Sequence, residues 1–494
     1  MPHSPRPLEA AAALGLKSGI CVALAALVCA CAPDLGPRPS LLAPSALKTD
    51  RSFAVQTAAE WPKDTWWSAY GDAELSRLIA LGLKDSPTVA EAAGRLRTAG
   101  GYAGEAEAQS RPSLFAQGAV QDYLQSKNVG FPAFIQPLLP GSFHPLGAVN
   151  LDFAYNLDLF GKQRALVAAA SSEAEAASAD YAEARLSLST AIAAAYADLR
   201  RLQAERAQSS ALLKVRQDVV ALVAARTENG IETRGELKTQ AVNIPAARLD
   251  LANLDRQIAL ARNQIAALIG KGPDDGLDIA PPDAAPKLSA LAAPADLPAA
   301  LLGRRPDVVA ARLRAKAAAK RITAANADFY PNVNLTGAIG YQSLGLGAMF
   351  DKASRMGQFG PALTLPIYSG GAAKAGYQAA FGQAETAAAA YDQTLVMAVK
   401  DVADALVNRR AVEAQLGDAR QALAHAEEAD ALMKDRVRAG IANRTSSLAT
   451  EAAVLIQKRS VTDLESLAFA YDVALVRALG GGYVEQNPRS KTAG

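Results

Sequence analysis

From Val149 to Leu159 apolar and polar residues alternate: Val149, Leu151, Phe153, Tyr155, Leu157 and Leu159 fall on one face, and Asn150, Asp152, Asn156 and Asp158 on the other. A period of two predicts a strand, because successive side chains leave opposite faces of the backbone. Opposed apolar and polar faces suit a strand with hydrocarbon on one side and water on the other. Val333, Leu335, Ile339 and Tyr341 against Asn332, Asn334, Thr336 and Gln342 repeat the pattern. Phe359, Leu363, Leu365 and Ile367 form another such face, and Leu114 to Tyr123 a weaker one. A single strand of this kind fits a water-soluble sheet better. Four of them at ~10 residues, in two hairpins behind an export signal, fit a membrane wall. The connecting stretches Gln125–Leu146 and Ser343–Gly357 are rich in Pro and Gly and would face outside.

Elsewhere the period lengthens to that of helices. Asp85-Ser86-Pro87 sets a cap residue and a first-turn proline at the start of a helix predicted to about Ser110. After each hairpin comes a very long helical stretch, Gly161–Arg226 and Gly371 to about Arg438. Leu188, Ile192, Ala195, Leu199 and Leu202 alternate steps of four and three; Leu212, Val215, Val219 and Leu222 continue after a phase shift; Leu395, Val399, Val402 and Leu406 match them. Such spacing signals antiparallel or supercoiled packing, and ~65 helical residues reach ~100 Å. Return helices follow, striped by Leu251, Leu254, Ile258, Ala261, Ile265 and Leu268, and by Leu464, Leu467, Tyr471, Ala474 and Ala478. Gly230 and Gly440 stand where a helix terminator of positive φ is expected. Lys271–Leu297, rich in Pro, Asp and Ala, reads as a loop or small extra layer without a helix.

The plan occurs twice. Ser86–Val120 lies on Arg305–Ile339 without a gap, matching Pro87 with Pro306, Val89 with Val308, Arg95 with Arg314, Pro112 with Pro331 and Gly118 with Gly337. At a slightly different offset, Arg226-x-x-x-Gly230-Ile231 returns as Arg436-x-x-x-Gly440-Ile441. A repeat this long builds two related halves rather than a solenoid.

Across 494 residues the net charge is only +2, so no nucleic-acid partner is indicated. The three cysteines, Cys21, Cys29 and Cys31, all lie near the N-terminus, which leaves no disulfide framework. Arg6 and Lys17, then the apolar run Gly19–Ala30, read as a secretory signal. Leu27-Val28-Cys29-Ala30-Cys31 resembles a lipobox with Cys31 as the lipidated residue; the alternative is ordinary cleavage near Ala30. Ala32 is not the Asp that marks inner-membrane retention in such lipoproteins. No later apolar run is long enough for a spanning helix, which leaves a closed barrel as the route through a bilayer. Four strands cannot close one, since about eight are needed, so copies must assemble. No phosphate loop occurs and the histidines are His3, His144 and His425 alone, so no enzyme chemistry, metal site or cofactor is indicated.

Trp66-Trp67-x-x-Tyr70-x-Asp72-x-x-Leu75-x-x-Leu78, Asp158-Leu159-Phe160-Gly161, Arg305-Pro306-Asp307, Phe329-Tyr330-Pro331 and Leu365-Pro366-Ile367-Tyr368-x-Gly370-Gly371 together resemble the TolC-like outer-membrane efflux factors, in the lipoprotein branch serving RND-type pumps. The resemblance covers nearly the whole mature chain. It implies a mainly α chain with transmembrane β structure, whose homotrimer forms a 12-stranded outer-membrane β-barrel above a periplasmic α-barrel. The chain then divides into a signal at 1–30, an anchored and equatorial segment at 31–85, a first repeat at 86–270 with hairpin 112–159 and tip turn 226–236, a connection at 271–304, a second repeat at 305–480 with hairpin 331–368 and tip turn 436–446, and a tail at 481–494. The resemblance further implies passive conduction, with an inner-membrane RND-type pump, a periplasmic adaptor protein and outer-membrane lipid as partners. Arg226, Gly230, Ile231, Arg436, Gly440 and Ile441 match the tip positions that meet the adaptor. Some relatives carry an acidic ring after the second turn; here those positions are Ser446 and Ala449, so Glu232 and Glu236 on the first turn are the candidate gate carboxylates, with Arg234 and Arg444 as pairing partners. Asn150, Asp152, Asn156, Asp158, Asn332 and Asn334 are candidates for the barrel lumen. A type I protein-secretion channel is the nearest alternative, and a periplasmic coiled-coil scaffold lipoprotein a remoter one.

Overall fold

The structure, a computed structural model, describes residues 33–49, 51, 61–126, 132, 134–138, 141–280, 301 and 303–485. The signal segment, Cys31, most of the 271–304 connection and the end of the tail lie outside them.

Strands β1 (Ser113–Tyr123), β2 (His144–Asn156), β3 (Asn332–Leu344) and β4 (Arg355–Thr364) form one antiparallel sheet in the order β1-β2-β3-β4. Cross-strand partners share a face, so the register shows which side chains stand together. Leu114 pairs with Phe153, Phe153 with Gly337 and Gly337 with Phe359; one step on, Ala116, Leu151, Ile339 and Gly357 align. The alternate positions Gln117, Asn150 and Gly340 align on the opposite face. The large apolar residues thus gather mainly on one side and the Asn, Asp and Gln residues mainly on the other, with Phe115 and Met356 on the polar side and Asp122 and Arg355 on the apolar side as exceptions. Strands β2 and β3 reach further into the predicted outer loops than their alternation indicates, while Leu157, Leu159, Leu365 and Ile367 fall beyond strand ends.

The helices are α1 (Ala73–Asp85), α2 (Pro87–Ala108), α3 (Lys162–Glu228), α4 (Arg234–Ala241), α5 (Asn243–Leu268), α6 (Pro273–Leu277), α7 (Pro306–Ala327), α8 (Ala372–Arg438) and α9 (Arg444–Ala478). The repeat is metrical: α2 and α7 have 22 residues each, α3 and α8 have 67 each. Three expectations need correction. The first return helix is broken at Val242 into α4 and α5, because Pro245 has no N–H to donate and its ring crowds the carbonyl of Ala241. The connection does contain a helix, α6, opened by Pro273 at its first turn. On α9, Leu467 is exposed, and toward the end of the helix Phe469, Val473 and Val476 are buried on one side and Leu475 and Ala478, with Leu479 just beyond, on another. A single stripe at helical spacing misses a helix that buries two sides.

The chain forms two units, one from 1–40, 98–175 and 313–389, the other from 41–97, 176–312 and 390–494; the boundaries fall inside α2, α3, α7 and α8. The first holds the sheet and a small core of Ala318, Ile322, Ala380, Phe381 and Ala384, with Leu35 packed against it. In the second, Trp66, Tyr70, Leu75, Leu78 and Ile79 bury against Ile192, Tyr196, Leu199, Ile265 and Phe469. The Trp-Trp-Tyr-Asp motif is thus a packing device. Asp72 caps α1 by accepting from the Leu75 amide at 2.9 Å and pairs with Arg200 at 2.9 Å, while the Tyr70 hydroxyl donates to Asp472 at 2.7 Å.

Candidate functional site

Two turns between a long helix and its return carry the repeated Arg-x-x-x-Gly-Ile sequence. At the first, Gly230 has φ 78°, its N–H donates to the Thr227 carbonyl at 3.1 Å, and the Ile231 N–H reaches the Arg226 carbonyl at 2.8 Å. At the second, Gly440 has φ 76°, with Val437 and Arg436 accepting at 3.1 and 3.0 Å. Both are helix stops in which a left-handed glycine lets two amides satisfy the last free carbonyls. The helix stop uses only the arginine backbone, which any residue could supply, whereas the left-handed φ favours glycine; at the first turn the Arg226 side chain adds a pairing with Glu232. Three residues on, a cap restarts the chain: Thr233 Oγ1 accepts from the Glu236 amide at 3.1 Å, and Asn443 Oδ1 from the Ser446 amide at 2.8 Å. Thr233-x-x-Glu236 has the spacing of a capping box, but the Glu236 carboxylate accepts from Gln240 instead. Ile231 and Ile441 are 65% and 68% exposed, so each turn presents an apolar residue outward.

The charged tip residues pair differently from expectation. Glu232 meets Arg226 at 3.2 Å, Glu236 accepts from Gln240 at 2.8 Å, and Arg444 donates to Ser447 at 3.1 Å and approaches Glu451 at 3.9 Å. Within one chain, Arg234 and Arg444 are not the partners of these carboxylates. The pairs that form are separated by six residues across the turn (Arg226 and Glu232) or by one helical turn (Glu236 and Gln240, Arg444 and Ser447), and counting along the sequence does not decide between them.

On the polar face of the sheet, Asn150, Asp152, Asn332 and Asn334 occupy register positions as expected. Asn156, the last residue of β2, pairs with Asn334, whereas Asp158 lies beyond the strand. Asn156 Oδ1 accepts from the Asp158 amide at 2.8 Å, and Asp158, at φ 42°, caps α3 by accepting from the Gln163 and Arg164 amides at 2.8 and 2.9 Å. The Asp-Leu-Phe-Gly motif is therefore the corner between strand and long helix. Gly370 and Gly371, both at positive φ, stand at the corresponding corner before α8.

Two partly buried carboxyls among the helices of the second unit were not singled out from the sequence. Glu183 on α3 is pushed up to about 7, first by burial and then by repulsion from Asp307, with Arg477 and Arg305 opposing. Asp463 on α9 is pushed up to about 6 by burial and by its contact with Glu205. Glu205, 2% exposed, also receives Arg459 at 2.8 Å and pairs with Arg201. Among the described residues no cluster of metal-ligating side chains occurs, and His425 lies exposed on α8.

The family model for outer membrane efflux proteins matches residues 78–271 and 297–481. The multidrug resistance outer membrane protein MdtP of Escherichia coli K12 is 30% identical over 444 residues, covering 86% of this chain and 87% of the relative. Outer membrane protein OprJ of Pseudomonas aeruginosa is 30% identical over 475 residues, covering 95% and 96%. Among solved structures, VceC of Vibrio cholerae superposes with a TM-score of 0.77 at 36% identity, covering 85% of this chain and all of that one. The CmeC channel of Campylobacter jejuni shares the fold, with a TM-score of 0.80 at 19% identity, covering 93% and 96%.

Proposed function

Because the chain belongs to the outer membrane efflux protein family, we propose that it closes a 12-stranded wall as a homotrimer and serves as the exit duct of a tripartite pump. One observation carries the reading: the register gathers most apolar side chains on one side of the sheet and most polar ones on the other, while among the described residues β1 and β4 have no strand on their outer edges. Open edges are excluded from hydrocarbon, so neighbouring copies must supply the missing partners. Strands β1 and β4 run in opposite directions, so β4 of one copy continues the antiparallel order beside β1 of the next.

Conduction is passive. Polar residues such as Asn150, Asp152, Asn334 and Gln342 wet the inner wall, and a solute passes without entering hydrocarbon. Energy comes from an inner-membrane RND-type pump. A periplasmic adaptor docks on the tip turns, where exposed Ile231 and Ile441 give it apolar contacts and Gly230 and Gly440 hold the backbone bend. Glu232 and Glu236 bias the narrow end toward cations. Cys31 carries lipid that adds a second hold on the membrane. The drug-resistance names of the relatives, and the fusaric acid resistance protein of Burkholderia cepacia at 32% identity, favour small toxic solutes as cargo over secreted proteins.

The purified chain added to planar bilayers gives stepwise conductance and migrates as a heat-labile trimer. Absence of both, in protein that is folded by circular dichroism, rejects the duct. Deleting the gene raises susceptibility to several unrelated drugs; sensitivity limited to loss of one secreted protein favours the secretion alternative.

A further inference from the structure

We propose that the outer end of the lipid-facing sheet, together with the β3–β4 loop folded against it, binds a phosphate-bearing acylated glycolipid of the outer leaflet. The proposal rests on the membrane-wall reading. Two observations place the loop on the apolar side rather than over the lumen. A Cβ built on Gly147 would come within 3.0 Å of Leu346 Cδ2 and Met349 Sδ, so these side chains lie directly on that glycine. The Phe350 ring packs edge-on to Tyr341 with centroids 5.7 Å apart. Gly147 and Tyr341 both belong to the apolar face, in register with Val120 and Val149.

Met349 is consequently buried, yet Phe350 stays 72% exposed and Leu346 48% exposed. An apolar loop laid on a surface that already faces hydrocarbon extends that surface, and aromatic residues at this level sit where acyl chains meet headgroups.

Charge and shape specify the lipid. Arg355 pairs with Tyr341 in the register and therefore emerges on the same apolar side, at the outer end of β4. Exposed Lys352 precedes it, and Asp351 is the single carboxylate in this loop. An arginine on a lipid-facing surface directs its head to the interface, where its fork suits phosphate oxygens. Continuing down the same face from Arg355, β4 presents Gly357 and Phe359. These border a shallow, open depression of about 490 Å³ with Leu114, Leu151, Phe153 and Ile339, in which the Phe359 ring lies against Gly337. A phosphate at Arg355 thus lies above an apolar depression against which acyl chains can lie. The leaflet at this end is the external one, because the opposite ends of the strands lead into the periplasmic helices, and its phosphorylated lipid is an acylated glycolipid.

The test uses the full trimer in nanodiscs of neutral phosphatidylcholine containing lipid A, an equal charge of phosphatidylglycerol, or neither, with bound lipid counted by native mass spectrometry after release. The wild type retains lipid A in preference to phosphatidylglycerol. Combined Lys352→Glu and Arg355→Glu weaken retention about tenfold, and Gly147→Val, which displaces Leu346 and Met349 while keeping both cations, weakens it too, all with unchanged conductance. Equal retention of phosphatidylglycerol, or a charge-reversed trimer that holds lipid A as the wild type does, overturns the site while leaving the duct intact. A wild type that never conducts overturns the membrane-wall reading beneath it.

Discussion

Arg305 donates from Nη1 to Asp401 at 3.1 Å, joining the residue before α7 to the middle of α8. The same guanidinium pairs with Asp307 at 2.6 Å and reaches the carbonyls of Ala398 and Ala478 at 3.4 and 3.5 Å. One nearly buried side chain thereby holds α7, α8 and α9 together, which is the structural content of the Arg-Pro-Asp motif. Removing it leaves Asp307 and the half-exposed Asp401 without their cation and the carbonyls of Ala398 and Ala478 without a donor. Arg305→Ala should destabilise the chain by about 1–3 kcal/mol, and Arg305→Lys should recover less than half, since an ammonium cannot fork between two carboxylates. Thermal unfolding of both variants checks this; equal melting of lysine variant and wild type would show that charge alone suffices.

Stability should depend on pH through Glu183. Its pKa is about 7 in the fold against an ordinary 4.5, so between those values the folded state holds a proton that the unfolded chain has released. Stability from this group is fully present below about 4.5 and declines as pH rises toward 7. Asp463 acts in the same direction below about 6. Glu183→Gln, neutral throughout, should melt higher than wild type at pH 8, with a shallower slope between pH 5 and 7. A wild-type melting temperature that rises steadily from pH 5 to 8 would contradict the raised value.

Asp158→Ala should cost about 1–2 kcal/mol, because two amides at the head of α3 lose their acceptor and alanine must take a positive φ. Asp158→Asn should cost less, since asparagine tolerates that conformation. Hydrogen exchange at residues 162–166 should accelerate in the alanine variant. If exchange there is unaltered, the cap is dispensable.

At the first tip turn, Glu236→Lys places a cation in the opening turn of α4, where the helix dipole favours an anion, and reverses charge beside the proposed constriction. Cation preference in single-channel recordings should fall and drug susceptibility should change. Glu232→Gln, which frees Arg226 from its 3.2 Å pairing, should shift the recordings in the same direction. Unchanged values in both assays for Glu236→Lys remove that residue from the gate.

Much was legible because it is local. Alternation along β2 follows from the geometry of an extended chain, Pro87 and Pro306 mark helix starts by lacking an N–H, and Gly230 and Gly440 mark stops by tolerating positive φ. The break at Val242 is equally local, caused by Pro245, yet the apolar stripe from Leu251 onward masked it and the return helix read as unbroken. By contrast, Asp158 continued the polar alternation of its strand and so looked like a lumen residue, when the chain had already turned.

The order of elements, the doubled plan and the opposed faces of each strand were set by sequence alone, because each depends on neighbours a few residues away. Only the tertiary structure decided the alignment of those faces across four strands, the folding of Met349 onto Gly147, and the burial that lifts Glu183. Each of these joins residues far apart in the chain, and the energy of a charge or a ring depends on what surrounds it in space. Spacing along the backbone carries no record of that surrounding.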